Sequence, residues 1–444
     1  MILIRHGESA FNVAARVQGR SELTQPEMVS HLTVLGEKQA RLVGEALQGI
    51  AVDAVLASPL TRAWRTAELV TAAAGWGLTP ERHTGLLEVD LAPWEGLTFA
   101  EVRDRFPQEY DAWHNRPHEL AIAGRYPILE LFAQARHFWE DVLPRYGDRT
   151  VVVTAHSGIN RALICTALGL APEHYHHLGQ HNCALNVVNF GEGQGIGQGQ
   201  LESMNLTGHM HPLTGEVLPP FRKNHVGPRI LLVRHGETQW NREKRFQGQI
   251  DIPLNERGRE QAARVAAFLQ NVPLDRAFSS PLLRPKETVE AILQFHPEVP
   301  LTLIQDLQEI SHGRWEGKLE AEIEAEFPGE LARWQTMPET VPMPDGETLA
   351  QVWARVGQAW REIVAAVPPG QTAVVAAHDA VNKAILCQLF GLGPERFWTF
   401  KQGNGGVSVV DYVKGPDGSP YLTAANITRH LCATVFDTTA AGAL

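Results

Sequence analysis

Arg5-His6-Gly7-Glu8-Ser9 follows a short apolar run, Ile2-Leu3-Ile4, and the string returns as Arg234-His235-Gly236-Glu237-Thr238 behind Leu231-Leu232-Val233. Further along, Ser58-Pro59-Leu60-Thr61-Arg62 returns as Ser280-Pro281-Leu282-Leu283-Arg284, Glu88 as Glu309, and His156 as His378. Each half thus offers two Arg, two His and one Glu in the same order. That set suits phosphoryl transfer through histidine. An imidazole is nucleophilic near neutral pH because its pKa lies close to it. Guanidinium is permanently charged, and its planar fork matches phosphate oxygens. The transition state spreads charge over three equatorial oxygens, so several fixed cations are what it needs. A carboxylic acid with a raised pKa can protonate the leaving alkoxide, and the same carboxylate can then activate water against the phosphohistidine. This chemistry needs no metal and no cofactor, and no acidic cluster with metal-ligand spacing stands out. A single His among 19 would read as a surface or packing residue; the joint recurrence does not.

The elements that must position these groups recur too. The Arg-His motifs lie 229 residues apart, whereas Arg62 and Arg284, and His156 and His378, lie 222 apart. About seven extra residues therefore enter the first half near residues 24–30, where Pro26 marks a loop. Residues 2–4, 54–57 and 151–154 read as buried strands, repeated at 230–233, 277–279 and 373–376. Helical stretches follow at 36–47, 62–74 and 160–168, repeated at 258–269, 286–295 and 382–390. Such alternation predicts an α/β fold, each half a mostly parallel sheet flanked by helices. Arg5-His6, Arg62 and His156 each stand at or just past a strand's C-terminal end, the edge where open α/β sheets bind ligands. The His156 and His378 segments lead into helices whose N-termini favour anions. Phe106-Pro107, Trp113, Asn205 and His209 return as Phe327-Pro328, Trp334, Asn426 and His430. The expected organisation is a first domain at 1–211, a proline-rich linker at 212–228 and a second domain at 229–444. The Gly/Gln run at 191–200 reads as a hairpin-like loop before the last strand of domain 1.

Arg-His-Gly-Glu-Ser/Thr at a strand end, Asn six residues past the His, Ser-Pro-Leu-x-Arg and the late Ala-His together resemble the histidine phosphatase superfamily, also called phosphoglycerate mutase-like. The resemblance covers nearly the whole chain, twice. It implies two tandem phosphoglycerate mutase-like domains. By position it implies His6 and His235 as nucleophiles and Glu88 and Glu309 as proton donors. Phosphate ligands would be Arg5, Arg62 and His156 in the first half, and Arg234, Arg284 and His378 in the second. Asn12 and Asn241 match a phosphate-pocket position. One departure concerns the residue after the second His: many members have Gly, whereas this chain has Ser157 and Asp379. An acidic side chain beside bound phosphate is repulsive unless it points away. Mutases of the family carry Arg-His-Tyr-Gly after the catalytic Glu. Here Glu88 precedes Val89-Asp90-Leu91 and Glu309 precedes Ile310-Ser311-His312, so hydrolysis is expected. The tandem arrangement and Gly124-Arg125-Tyr126-Pro127 resemble tandem-domain members that hydrolyse a carboxylated, Rubisco-inhibiting sugar phosphate. Domain 2 has Asp345-Gly346-Glu347-Thr348 there. Arg125, with Arg116, is expected to read a second anionic group such as a carboxylate. The alternatives are a phosphatase for phosphoserine or another small molecule, then a mutase, then a non-catalytic phosphate-binding module. Degenerate modules lose the nucleophile or an Arg, and neither half has.

Composition narrows the setting. The chain has 444 residues, 44% hydrophobic and 20% charged, with net charge −11. That excludes a disordered or low-complexity chain and argues against nucleic acid as partner, leaving a small phosphorylated substrate. Cys165, Cys183, Cys387 and Cys432 show no C-x-x-C spacing, so neither a zinc site nor a disulfide framework is signalled. No apolar run is long enough for a signal peptide or a membrane span, so a cytoplasmic location is expected. His174-Tyr175-His176-His177 reads as a solvated loop rather than a metal site, because the second half has Glu395-Arg396-Phe397-Trp398 there. Trp94, Trp113, Trp315 and Trp334 read as packing anchors.

Overall fold

The computed structural model describes residues 1–432 and 434–440. The chain divides into two compact units, Met1–Pro219 and Pro220–Leu444. The first contains β1 (Ile2–Arg5), β2 (Ala54–Ala57), β3 (Glu81–Arg82), β4 (Val151–Ala155), β5 (Leu185–Asn189) and β6 (Gln200–Leu206). Their order is β3-β2-β4-β1-β5-β6. The first four are mutually parallel, and β5 and β6 join antiparallel. The second unit contains β7 (Arg229–Arg234), β8 (Arg276–Ser279), β9 (Leu301–Leu303), β10 (Thr372–Ala377), β11 (Val407–Asp411) and β12 (Tyr421–Ile427). Its order, β9-β8-β10-β7-β11-β12, repeats the first with the same directions.

The apolar runs are central because both faces of a parallel sheet are covered by helices. Val151, Val152 and Val153 have no exposed surface. Helix Val34–Ala46 packs on Thr61–Ala74, and Pro127–Tyr146 packs on Ser157–Leu168. The second unit pairs Glu256–Leu269 with Leu283–Leu293, and Leu349–Ala366 with Asp379–Gln388. The two long helices Pro127–Tyr146 and Leu349–Ala366 escaped the sequence reading; Pro127 and Pro144 punctuate the first of them. None of the helices among the described residues is long and apolar enough to cross a membrane.

The inserted residues lie where the change of offset puts them. Ser9 bridges Leu32, and Thr238 bridges Leu254. The extra chain between Glu22 and Leu32 forms a 3-10 turn at Pro26–Met28. The repeat persists to the last strand. Asn205 and Asn426 adopt left-handed backbone (φ 55° and 51°), and each accepts a loop N–H at 2.8 Å, from His181 and Gly403. The segment expected as a linker divides between the units at Pro219 and Pro220. It is also structured: His211–Thr214 is helical, Leu218 is buried, and Arg229 lies 3.8 Å from the Phe221 ring centre.

The loop after β1 is held by a backbone-to-backbone approach. Thr33 caps the following helix, its Oγ1 accepting the Gly36 N–H at 3.0 Å. A Cβ on Gly36 would lie 2.0 Å from the Glu8 carbonyl oxygen, and one on Gly7 would lie 2.4 Å from the Gly36 oxygen. Gly236 and Gly258 repeat the contact. Both obstacles are main chain and cannot rotate away. Gly36→Ala should therefore displace the Arg5-His6 segment and cost about 1–3 kcal/mol. Urea unfolding and phosphatase assays on this variant check it; unchanged stability and rate would contradict the close-approach argument.

Candidate active site

In the first unit β1 delivers Arg5 and His6, the start of helix Thr61–Ala74 delivers Arg62, and β4 delivers His156. Glu88 follows the 3-10 turn Thr84–Leu86. Arg5, His6, Asn12, Arg62 and Glu88 line one cavity of about 210 Å³. The His6 and His156 ring centres are 5.2 Å apart.

The protonation pattern follows from partners. His6 Nδ1 lies 2.7 Å from the Gly7 carbonyl oxygen. A carbonyl only accepts, so Nδ1 carries the proton and Nε2 keeps its lone pair. His156 Nε2 lies 2.8 Å from Ser58 Oγ, while its Nδ1 is buried and has no hydrogen-bond partner. Burial, reinforced by Arg62 and Arg5, holds His6 well below the ordinary histidine value. Burial and Arg62 do the same for His156. Both rings are neutral at pH 7, as a nucleophile and a neutral hydrogen-bond donor require. Arg62 reaches the Gly19 oxygen at 3.0 Å and Glu22 at 3.1 Å, leaving Nε buried without a partner. Arg5 Nε is likewise without one. Burial first, and the Arg161 charge second, pull Arg5 down to about 10, so it stays charged at neutral pH. Unpartnered buried donors of this kind are a seat for an anion.

Glu88 sits against the N-terminus of helix Ser157–Leu168. Its Oε2 accepts the Gly158 N–H at 2.9 Å, and its Oε1 accepts those of Val89 at 2.8 Å and Ile159 at 3.0 Å. Asn12 caps the turn after His6, its Oδ1 accepting the Ser9 N–H at 3.1 Å.

Arg116 and Arg125 are not brought to the cavity. Ile122 and Arg125 close a tight turn through paired backbone hydrogen bonds. Half-exposed Arg125 reaches outward to Asp90 at 2.7 Å and to Glu130. Arg116 pairs with Asp111 at 3.1 Å and Glu119 at 3.2 Å. The cations that do line the cavity beside Arg5 and Arg62 are Arg16 and Arg161, which sequence reasoning missed. Trp113 and Tyr175 also form its wall. Tyr175 is 1% exposed, so its segment is not the solvated loop expected from the surrounding histidines.

The second unit repeats the geometry. His235 Nδ1 meets the Gly236 oxygen at 2.7 Å, His378 Nε2 meets Ser280 Oγ at 2.9 Å, and the two rings are 5.3 Å apart. Arg284 donates to the Gly248 oxygen at 2.7 Å. Asn241 caps its turn as Asn12 does, accepting the Thr238 N–H at 3.1 Å. The chemistry around these groups differs. Asp379, in place of Ser157, lies 3.3 Å from Arg234 and 2.6 Å from Lys383. Glu309 receives N–H bonds from Ile310 at 2.9 Å and from Ala380 at 3.3 Å. Burial, then the Asp379 charge, raises it to about 6. His312 stands where the first unit has Leu91, fully buried, with neither ring nitrogen hydrogen-bonded.

Burial lowers His312 to about 3. The unfolded chain therefore takes up this proton first, and stability is lost as pH falls below the ordinary value of 6.5. By pH 5 the loss from this one ring is about 2 kcal/mol. His312→Leu should remove that increment. Urea unfolding of wild type and variant at pH 7.5 and pH 5 should then diverge by this amount, and parallel pH dependence would refute it.

The sequence profile of the histidine phosphatase superfamily (branch 1) matches residues 1–205 and 230–423. The 2-carboxy-D-arabinitol-1-phosphatase of Triticum aestivum is 30% identical over 444 residues, covering 97% of this chain and 86% of that protein. Phosphoserine phosphatase 1 of Hydrogenobacter thermophilus is 35% identical over 205 residues, covering 46% of this chain and 94% of that protein. Among solved structures, a phosphoserine phosphatase of Entamoeba histolytica with 3-phosphoglyceric acid is 28% identical, covers 46% of this chain and 100% of its own, and gives a TM-score of 0.40. The chain belongs to the histidine phosphatase superfamily, and it is a phosphatase that carries the family's sequence twice.

Proposed function

We propose that the first unit hydrolyses a small phosphomonoester bearing a second anionic group, through a phosphohistidine on His6. The observation that carries the reading is the 2.7 Å bond from His6 Nδ1–H to the Gly7 oxygen, which leaves the Nε2 lone pair as the reactive atom. Nε2 attacks phosphorus in line while the bond to the ester oxygen breaks. Arg5, Arg62 and the Nδ1–H of His156 hold the transferring oxygens. Glu88 gives the departing alkoxide its proton. The carboxylate that remains takes a proton from water as that water attacks the phosphorus, which returns His6 and frees inorganic phosphate. In the second unit His235, Glu309, Arg234, Arg284 and His378 have the same roles, with Asn12 and Asn241 bracing the two phosphate loops.

Arg16 and Arg161 support a substrate with more charge than its phosphate, since both line the cavity beyond Arg5 and Arg62. A space of about 210 Å³ lies below the usual range for drug-sized ligands, roughly 300–1,000 Å³. The similarity across 97% of the chain to a 2-carboxy-D-arabinitol-1-phosphatase makes 2-carboxyarabinitol 1-phosphate, or a related sugar-acid phosphate, our first candidate. Phosphoserine is the second reading, favoured by the identity with phosphoserine phosphatase 1. The reading includes a cytoplasmic setting, consistent with four free cysteines. It includes no nucleic-acid partner, because net charge is −11.

His6→Ala in the His235→Ala background should lower turnover at least about 10³-fold, as removal of a nucleophile does elsewhere. Rapid acid-free quenching with labelled substrate should trap an acid-labile phosphoryl group on His6 in the His235→Ala protein; an unlabelled protein at full turnover would refute the intermediate. Arg161→Met should raise KM for 2-carboxyarabinitol 1-phosphate at least about tenfold, the loss of one charge-assisted contact, while moving KM for para-nitrophenyl phosphate far less. Equal effects on the two substrates would remove the second anion from the argument.

A further inference from the structure

The two units share a backbone but not a charge balance, and the difference centres on one residue. In the first unit the helix after His156 starts with Ser157 and presents Arg161 one turn on, and both line the cavity. In the second, Asp379 starts the helix and Lys383 follows one turn on. The Asp379 carboxylate lies 3.3 Å from Arg234, the counterpart of Arg5, and 2.6 Å from Lys383, the counterpart of Arg161. Lys383 is held over the rings of Phe397 and Trp398, 4.8 and 4.4 Å from their centres. Asp379, Lys383 and Arg234 are all at most 5% exposed. Two cations that would face a bound phosphate therefore already face an internal carboxylate, in surroundings where screening is weak.

We infer that Asp379 is the specificity-determining residue of the second unit: its carboxylate supplies the negative charge that a substrate's own anions supply in the first, so this site binds phosphate weakly and rejects doubly anionic esters. The inference rests on the phosphohistidine reading above. The direction of titration is consistent with it. Burial acts to raise Asp379, but Lys383 and Arg234 outweigh it and hold the carboxyl below the usual value, so the charge is present at neutral pH. A bound phosphate must then share Arg234 with a fixed carboxylate, and like charges brought together without water cost affinity. Glu309 feels the same charge, which adds to burial in raising it.

The experiment uses the full chain, para-nitrophenyl phosphate as substrate and inorganic phosphate as competing product. His235→Ala reports on the first unit alone and His6→Ala on the second. Ser157→Asp in the His235→Ala protein should raise both KM and the inhibition constant of phosphate at least about tenfold. An Asp in the first helical turn is locally favourable, so this variant is expected to fold, and a urea midpoint verifies it. In the His6→Ala protein, Asp379→Ser with Lys383→Arg copies the first unit's pair and should raise kcat/KM and lower the inhibition constant by a similar factor. A merely structural ion pair would change the urea midpoint without moving these constants. Unchanged KM and inhibition constant in Ser157→Asp, with the His6→Ala/His235→Ala protein inactive, overturn this inference alone. A double variant with wild-type turnover overturns the phosphohistidine reading and this inference with it.

Discussion

A neutral imidazole with one nitrogen tied to the main chain is the constraint on which both sites are built. The Nδ1–H bond to the next carbonyl is 2.7 Å long in each unit. It requires the chain to turn sharply directly after the strand, and the turn is possible because Gly7 and Gly36, or Gly236 and Gly258, let main chain touch main chain. Thr66 and Thr288 then take the Gly7 and Gly236 N–H groups at 3.1 and 3.2 Å. The ring is thereby fixed in one tautomer and one direction before substrate arrives. Fixing a reacting atom in advance lowers the entropy cost of reaching the transition state. The parallel strands, the helix N-terminus beneath Glu88 and the buried guanidinium groups are all placed relative to that ring.

Much of this arrangement was legible in the sequence because chemistry and periodicity coincide there. Strand ends announced themselves as apolar runs broken by Arg-His or Ala-His, and the change of offset located the insertion near residues 24–30. What stayed hidden depended on partners distant in the chain. Arg125 looked available, yet Asp90, 35 residues earlier, and Glu130 neutralise it on the surface. Arg161 lies inside a mostly apolar helix and gave no signal of its own. Tyr175 stands among three histidines, so local polarity pointed to solvent, whereas packing against Trp113 buries it. Direction and ion pairing are tertiary properties, and a linear pattern does not carry them.

The main-chain carbonyls of Glu88 and Glu309 show how the duplication keeps a contact while exchanging residues. In the first unit Arg20 Nε donates to the Glu88 oxygen at 2.9 Å, and Gln134 fastens the Gly85 and Leu87 carbonyls at 3.1 and 2.8 Å. In the second unit the two types trade places. Gln249, at the position of Arg20, and Arg355, at that of Gln134, each donate to the Glu309 oxygen at 3.1 Å. One guanidinium and one carboxamide hold the segment in both cases, approached from opposite elements. The exchange is not neutral for its surroundings. Arg355 takes Glu347 as a bidentate partner at 2.7 and 2.8 Å, where the first unit has Tyr126. Glu347 in turn accepts the Ser311 N–H at 2.9 Å and so ties the 345–348 segment down beside His312. Arginine at this position is thus accompanied by a carboxylate that the first unit lacks. Because the histidine-to-carbonyl geometry is shared while such compensations are local, two sites with the same 2.7 Å bond come to differ in charge. The two units therefore differ in their ion pairs, not in their motif.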